Sequence, residues 1–199
     1  GTFLSRQDVL QVAKACQAVD GYLVVDEAFL EFLPCWQDLT MLQAKQENVI
    51  VLCSLTKMYA IPGLRLGFMM APQEIVTAAG RLRDPWSVNQ LAQMARRHVL
   101  ADQDFVRRTA KEVTVLAADL ARELGRIPGI LVYPPAANYI FIESKTKSSQ
   151  ELQHRLLQHK ILVRDCGNYQ GLERHFVRVA VRTRQENMAL LEALRAVMP

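Results

Sequence analysis

The sequence predicts an α/β protein: part of a larger domain built on a mainly parallel sheet, followed by a smaller α+β domain. Two observations support this prediction. In the first half, three apolar runs of strand length alternate with helical segments, and each run is continuously apolar. Such runs are typical of parallel strands that are buried on both sheet faces. In the second half, a long helical stretch is followed by shorter strands and helices, which indicates a second domain.

The elements of the first half follow in chain order. Helical spacing of apolar residues over Asp8–Ala18 predicts the first helix. The three strands are expected at Gly21–Asp26, Asn48–Cys53 and Leu66–Ala71. A further helix is expected at Gln73–Arg83, and it should end there because a proline follows two residues later.

The second half begins with a helical stretch from about Gln90 to Leu124 that is broken near Ala101–Asp102. The domain boundary is placed inside this stretch, which gives domains of residues 1–96 and 97–199. Beyond it, strands are predicted at Ile130–Tyr133, Tyr139–Glu143, Ile161–Arg164 and Phe176–Val181, and helices at Ser149–His159 and Gln185–Val197. Because a doubly wound sheet usually has more than three strands, we expect an N-terminal portion to be missing from this chain.

Composition and charge narrow the possible function classes. The chain has 199 residues, with 24 basic and 20 acidic side chains and a net charge of +4. The charges are interspersed, so nucleic acid is not expected as a partner. The four cysteines form no CxxC pair, which disfavours a zinc site or a disulfide framework. No apolar run reaches the roughly 20 residues of a membrane helix, and no apolar leader is found, so we expect a cytoplasmic protein without a membrane partner.

Several polar residues lie at or near the ends of the predicted strands of the first domain. Asp26 ends one strand, Ser54 and Lys57 follow the next, and Arg65 precedes the third. Ligands of open α/β sheets bind at the carboxyl ends of the strands, so these side chains are candidates for one site. Each residue alone has an ordinary explanation, as a helix cap or a solvated surface charge. Their combined order and spacing favours a shared function.

This order of residues resembles the Schiff-base signature of fold-type I enzymes that depend on pyridoxal 5′-phosphate (PLP). The resemblance covers the whole chain and is closest to the histidinol-phosphate aminotransferase-like group. It implies that Lys57 binds the cofactor covalently, that Asp26 pairs with the pyridine nitrogen, and that Ser54 and Arg65 hold the cofactor phosphate. Phe29 departs from the family pattern, in which a tyrosine usually donates a hydrogen bond to the cofactor O3′.

Four segments also resemble the threonine-phosphate decarboxylases of cobalamin synthesis: Lys57–Gly63, Pro85–Asn89, Val163–Tyr169 and Val177–Arg182. This resemblance implies decarboxylation of L-threonine O-3-phosphate to 1-amino-2-propanol O-2-phosphate. In the small domain it implies four substrate-binding residues: Arg178 for the carboxylate, Arg164 and Arg182 for the phosphate, and Asn138 in a loop that reaches the substrate. The ordinary explanation for these arginines is an exposed basic strand edge.

Two other functions are alternatives. One is histidinol-phosphate aminotransferase, although a transaminase more often has Tyr in place of Phe29 and Gly in place of Arg182. The other is a non-enzymatic module with the same fold, which the intact Lys57 and Asp26 disfavour. The resemblance further implies a homodimer. It also implies a longer protein, because Gly1-Thr2 looks like the end of the family's Asn-Pro-Thr-Gly segment. We therefore expect this chain to be inactive by itself.

Overall fold

The computed structural model describes residues 2–44, 46–172 and 174–198, so Gly1 of the Gly1-Thr2 resemblance lies outside the described residues. The chain forms two compact units, of which the first is Phe3–Ala110 and the second contains residue 2 and the residues from Lys111 onward. The division lies 14 residues beyond the predicted boundary at 96/97. It differs because Val106 is buried and the Phe105 ring stacks on Tyr59, 5.7 Å between centroids, which keeps these residues in the first unit.

The first unit alternates helices with strands. Its elements are α1 Arg6–Gln17, β1 Leu23–Asp26, α2 Trp36–Leu39, β2 Val49–Ser54, α3 Leu55–Met58, β3 Gly67–Met70, α4 Gln73–Leu82, α5 Gln90–Ala101 and the first part of α6, which spans Gln103–Leu124. The break between α5 and α6 confirms the prediction for that stretch. Two short 3₁₀ turns, at Leu30–Phe32 and Pro62–Leu64, occur in the connections that follow β1 and precede β3.

Helix α1 packs on one face of the sheet. Ser5 caps the helix by accepting a hydrogen bond from the Asp8 amide at 3.2 Å, as small hydroxyl residues do at helix starts. Val9 and Ala13 are the buried residues of α1, and they form a hydrophobic cluster with Val49 and Val51 of β2. The apolar spacing read from the sequence therefore serves to cover this face.

The sheet of the first unit has the strand order β1-β2-β3. β1 and β2 are parallel, whereas β2 and β3 are antiparallel. The expectation of a mainly parallel sheet therefore holds for one of the two pairs formed by the described residues. The reason lies in residues 55–66, where only α3 and a 3₁₀ turn connect the strands, and such a short connection returns the chain in the opposite direction.

The two faces of this sheet differ in burial. Side chains alternate across a strand, so Val24 of β1 and Leu52 of β2 lie opposite to the face that α1 covers. Val24 is 55% exposed and Leu52 is 38% exposed. The prediction of two covered faces is thus wrong for the described chain, because α1 packs on only one of them.

The second unit contains the remainder of α6 and a four-stranded sheet with the order β4-β5-β7-β6, in which each pair is antiparallel. Its further elements are β4 Ile130–Val132, β5 Tyr139–Ser144, α7 Ser149–Gln158, β6 Arg164–Asp165, β7 Phe176–Ala180 and α8 Arg184–Val197. The strand predicted at Ile161–Arg164 is wrong in its extent, since pairing begins only at Arg164. The preceding residues leave α7 through Lys160, whose backbone is left-handed with φ of 61°.

One face of the second sheet packs on helices. Inward side chains of β5 and β7, such as Ile140 and Val177, are fully buried and form a core with Leu152 of α7 and Leu194 of α8. Helix α8 begins with a capping box: the Thr183 side chain accepts a hydrogen bond from the Glu186 amide, and the Glu186 side chain accepts one from the Thr183 amide. The opposite face of the sheet carries half-buried side chains, among them the Phe141 and Phe176 rings, which stack 5.2 Å apart between centroids. No described helix is long and apolar enough to cross a membrane.

Candidate active site

Lys57 lies in α3, immediately after β2. Its Nζ donates a hydrogen bond to Ser54 Oγ at 2.9 Å, and Ser54 Oγ lies 2.8 Å from Thr56 Oγ1. An amine and two hydroxyls are therefore connected within four residues of sequence. The Thr56 side chain was not among the predicted site residues. The alternation of two hydroxyl residues just before a lysine was the signal that could have identified it.

Asp26 is the last residue of β1 and lies opposite Leu52 in the parallel pair. Because side chains two positions apart share a face, Ser54 emerges on the same face of the sheet as Leu52 and Asp26. The Asp26 carboxylate accepts a hydrogen bond from the Ala28 amide at 2.9 Å, and the side chain is exposed. The predicted gathering of Asp26 and Ser54 at the carboxyl ends of neighbouring parallel strands is therefore present.

The neighbouring residue, Glu27, anchors the end of β1. It is 8% exposed, and its carboxylate accepts hydrogen bonds from Thr40 Oγ1 and from the Met41 amide, both at 2.6 Å. A buried carboxylate with two donors is well compensated. These bonds hold the backbone that carries Asp26.

Arg65 follows the 3₁₀ turn Pro62–Leu64. Its backbone is left-handed, with φ of 52° and ψ of 53°, which is uncommon for a residue with a side chain. The guanidinium is exposed and donates a hydrogen bond to the Pro62 carbonyl at 3.0 Å. The charge is thus presented at the surface of the first unit, close in sequence to the Lys57 turn.

Gly67 explains why a glycine follows Arg65 in the signature. It pairs with Ser54 at the start of β3, and a Cβ at this position would lie 2.6 Å from the Cys53 carbonyl oxygen. No ordinary side chain fits so close to a backbone carbonyl. The glycine therefore allows β3 to approach the strand end that carries Ser54 and Lys57.

Two further side chains surround Lys57 and Asp26. Lys57 Nζ lies 5.6 Å from the centroid of the Phe29 ring, within the range of a cation–π contact. Burial, together with the nearby carboxylates of Glu27, Glu31 and Asp26, raises the pKa of the Cys53 thiol to about 12. Cys53 is therefore a neutral thiol at neutral pH and is not a candidate nucleophile.

The donor set of the first unit fits PLP. An amine can form the covalent bond, a carboxylate can pair with a protonated pyridine nitrogen, and hydroxyls with a guanidinium can bind a phosphate. These groups are supplied by Lys57, Asp26, Ser54, Thr56 and Arg65. Within the described ranges, no group of three or more His, Cys, Asp or Glu side chains could hold a metal ion.

In the second unit, two of the predicted arginines lie side by side. Arg164 of β6 is the direct partner of Arg178 of β7, and residues opposite each other point to the same face. Burial alternates along β7, so Phe176 and Arg178 lie on the face away from the helices. The Arg178 guanidinium lies 4.7 Å from the centroid of the Tyr139 ring. This face can present two positive charges to an anion.

The other two predicted residues of the second unit have different surroundings. Arg182 donates hydrogen bonds to Glu186 from Nε at 2.8 Å and from Nη2 at 2.5 Å. These bonds, with those from Thr183, lower the pKa of the Glu186 carboxyl to about 2. The Asn138 carbonyl accepts a hydrogen bond from the Val181 amide at 2.8 Å, which places Asn138 beside the end of β7.

Comparison with known proteins identifies relatives over the whole chain. The chain is 38% identical over 199 residues to the threonine-phosphate decarboxylase of Salmonella typhimurium, a match that covers 98% of this chain and 54% of that protein. A histidinol-phosphate aminotransferase from Clostridium acetobutylicum has a similar structure, with a TM-score of 0.93 and 26% identity. That match covers 100% of this chain and 60% of the other. This chain thus spans about half the length of the curated relative.

A further solved structure is the histidinol-phosphate aminotransferase of Sinorhizobium meliloti in complex with pyridoxal-5′-phosphate. It has a TM-score of 0.77 and 23% identity, and the match covers 96% of this chain and 52% of the other. Residues 1–194 match the model of the family described as aminotransferase class I and II. The chain therefore belongs to the aminotransferase class I and II family.

Proposed function

We propose that the protein binds PLP through Lys57. Because this chain spans about half the length of its curated relative, the proposal concerns the full-length protein. The observation that carries the proposal is the hydrogen bond between Lys57 Nζ and Ser54 Oγ at the carboxyl end of β2, with Asp26 at the end of the adjacent strand. PLP supplies an electron sink for a carbanion at the substrate Cα. The residues of this chain hold the cofactor and move the proton.

Each residue of the first unit has a defined task in this proposal. Asp26 keeps the pyridine nitrogen protonated through an ion pair, which strengthens the electron sink. The hydroxyls of Ser54 and Thr56 donate to the cofactor phosphate, and Arg65 adds a charged donor. Lys57 carries the cofactor and afterwards returns a proton to the substrate Cα.

We propose decarboxylation of L-threonine O-3-phosphate to 1-amino-2-propanol O-2-phosphate as the reaction, in cobalamin biosynthesis. The 38% identity to a threonine-phosphate decarboxylase supports this choice. In the reaction the bond between Cα and the carboxylate carbon breaks, carbon dioxide leaves, and a proton takes its place. Which bond at Cα breaks would depend on how the substrate is oriented, so the protein would have to fix both anions of the substrate.

The arginines of the second unit would supply these anchors. Arg178 is half-buried and would bind the substrate carboxylate, while Arg164 beside it would bind the phosphate. Arg182 is a further candidate for the phosphate, but a substrate would have to displace the carboxylate of Glu186 from it. Asn138, beside the end of β7, is the proposed uncharged contact.

A histidinol-phosphate aminotransferase is the second candidate, because the structure from Clostridium acetobutylicum has a TM-score of 0.93. The decarboxylase would act on a small phosphorylated amino-acid substrate and the aminotransferase on a phosphorylated amino alcohol, and we propose a homodimer for either. Phe29 has no hydroxyl to donate to the cofactor O3′, which favours the decarboxylase. A non-enzymatic module of the same fold is disfavoured by the retained Lys57 and Asp26.

The products distinguish the two reactions. The full-length protein, loaded with PLP, should release carbon dioxide from L-threonine O-3-phosphate and form 1-amino-2-propanol O-2-phosphate in equal amounts. Carbon dioxide trapping and mass spectrometry of the amine measure both products. Transfer of the amino group of histidinol phosphate to 2-oxoglutarate without carbon dioxide release would show that the scaffold is right and the proposed reaction is wrong.

A further inference from the structure

We propose that Asn89 is a positioning residue for Arg65. The proposal rests on the proposed function, in which Arg65 holds the PLP phosphate. Asn89 directly precedes α5 and acts through the backbone that carries Arg65. Its contribution is to hold the turn before Arg65 in the conformation from which the guanidinium can reach a phosphate.

The backbone of Arg65 needs such support. A left-handed conformation is disfavoured for residues with a Cβ, and it persists where the surrounding structure holds it. On one side of Arg65, Leu66 is 6% exposed and its carbonyl accepts a hydrogen bond from the Leu55 amide at 3.1 Å. The C-terminal side of the turn is therefore fixed by the packing and pairing of the sheet.

Asn89 supports the other side. Its Nδ2 donates a hydrogen bond to the carbonyl oxygen of Leu64 at 3.3 Å, in the peptide group that joins Leu64 to Arg65. The Arg65 amide and Nη1 both bond to the Pro62 carbonyl, within the turn itself. Asn89 thus connects this turn to a separate element of the first unit.

The connection is anchored because Asn89 also caps α5. Its Oδ1 accepts a hydrogen bond from the Ala92 amide at 2.9 Å, and Ala92 is 0% exposed. Asp and Ser cap helices about as well as Asn. A carboxylate, however, cannot donate to the Leu64 carbonyl, and a serine side chain ends one bond closer to the backbone, so its single oxygen cannot reach both partners. Only the amide of Asn89 serves both partners.

The test compares Asn89→Ser and Asn89→Asp in the full-length protein. Both variants keep the cap of α5 and lose the bond to Leu64. We expect the affinity for PLP to fall about twofold to tenfold in both variants, the effect of one lost hydrogen bond. The affinity for pyridoxal, which lacks the phosphate, should stay at the wild-type value, and the melting temperature should fall by no more than about 4 °C, the effect of one lost hydrogen bond.

Ser148→Ala is the matched control. It removes the side-chain cap of α7 in the second unit, so it should lower the melting temperature and leave both cofactor affinities unchanged. Equal losses for PLP and pyridoxal in the Asn89 variants would overturn the inference, and so would unchanged PLP affinity in Asn89→Ser with a loss in Asn89→Asp alone. Failure of the wild-type protein to bind PLP would instead overturn the proposed function and, with it, this inference.

Discussion

Replacing Lys57 with alanine should abolish covalent cofactor attachment and nearly all turnover of the full-length protein. Lys57 is the amine that lies against the Ser54 hydroxyl at the end of β2. Alanine has neither a nitrogen for the covalent bond nor a group that can return a proton to the substrate Cα. The measurement is the visible absorbance of the lysine-bound cofactor, followed by a turnover assay with L-threonine O-3-phosphate.

Lys160→Ala is the control for this variant. Lys160 follows α7 in the second unit, and replacing it removes the same charge. The control should keep the absorbance band and the wild-type rate of turnover. A Lys57→Ala protein that retained the band would show that another amine carries the cofactor.

Replacing Arg178 with glutamine should lower kcat/KM for the substrate by about 30-fold to several thousand-fold. Arg178 is half-buried beside Tyr139, so its charge pair with a carboxylate would be partly shielded from water. Losing one partner of such a pair costs about 2–5 kcal/mol, which sets the expected range. Steady-state kinetics measure the loss, and the cofactor absorbance should be unchanged because Arg178 is assigned to the substrate.

Arg155→Gln provides the comparison. Arg155 pairs with Glu151 on α7, and its side chain is 46% exposed, so the variant removes one positive charge from the second unit without touching the proposed site. Its kcat/KM should stay close to the wild-type value. If Arg178→Gln behaved like Arg155→Gln, the assignment of Arg178 to the substrate carboxylate would be wrong.

Most of the elements could be predicted from the sequence, because apolar spacing reports burial directly. The break between α5 and α6 and the strands β1 and β2 lie within a few residues of their predicted positions. The direction of β3 could not be predicted in this way. An apolar run has the same composition in a parallel or an antiparallel strand, and the direction depends on the geometry of the connection.

The extent of β6 illustrates a second limit. Ile161–Val163 is apolar, but Leu162 is 76% exposed and Ile161 bonds back to Leu156 at the end of α7. A left-handed backbone at Lys160 directs these residues, and nothing in the identity of a lysine predicts it. Apolar composition alone therefore predicted a strand where the chain is still leaving a helix.

The placement of the candidate site residues was predictable where they follow one another in a motif. Asp26, Ser54 and Lys57 lie at neighbouring strand ends, as their order suggested. The contact of Asn89 with Leu64 was not predictable, because 25 residues separate the two and only the fold brings them together. The pairing of Arg182 with Glu186 was not predictable either, because Arg182 precedes α8 and the i, i+4 rule for ion pairs applies within a helix.

The central claim is that Lys57 carries the cofactor, and borohydride reduction tests it most directly. The full-length protein loaded with PLP is reduced and digested, and the labelled peptide is sequenced by mass spectrometry. The proposal predicts one modified residue, Lys57, in the peptide that continues into Met58 and Tyr59. A cofactor fixed instead on Lys45 or Lys160 would contradict the site assignment.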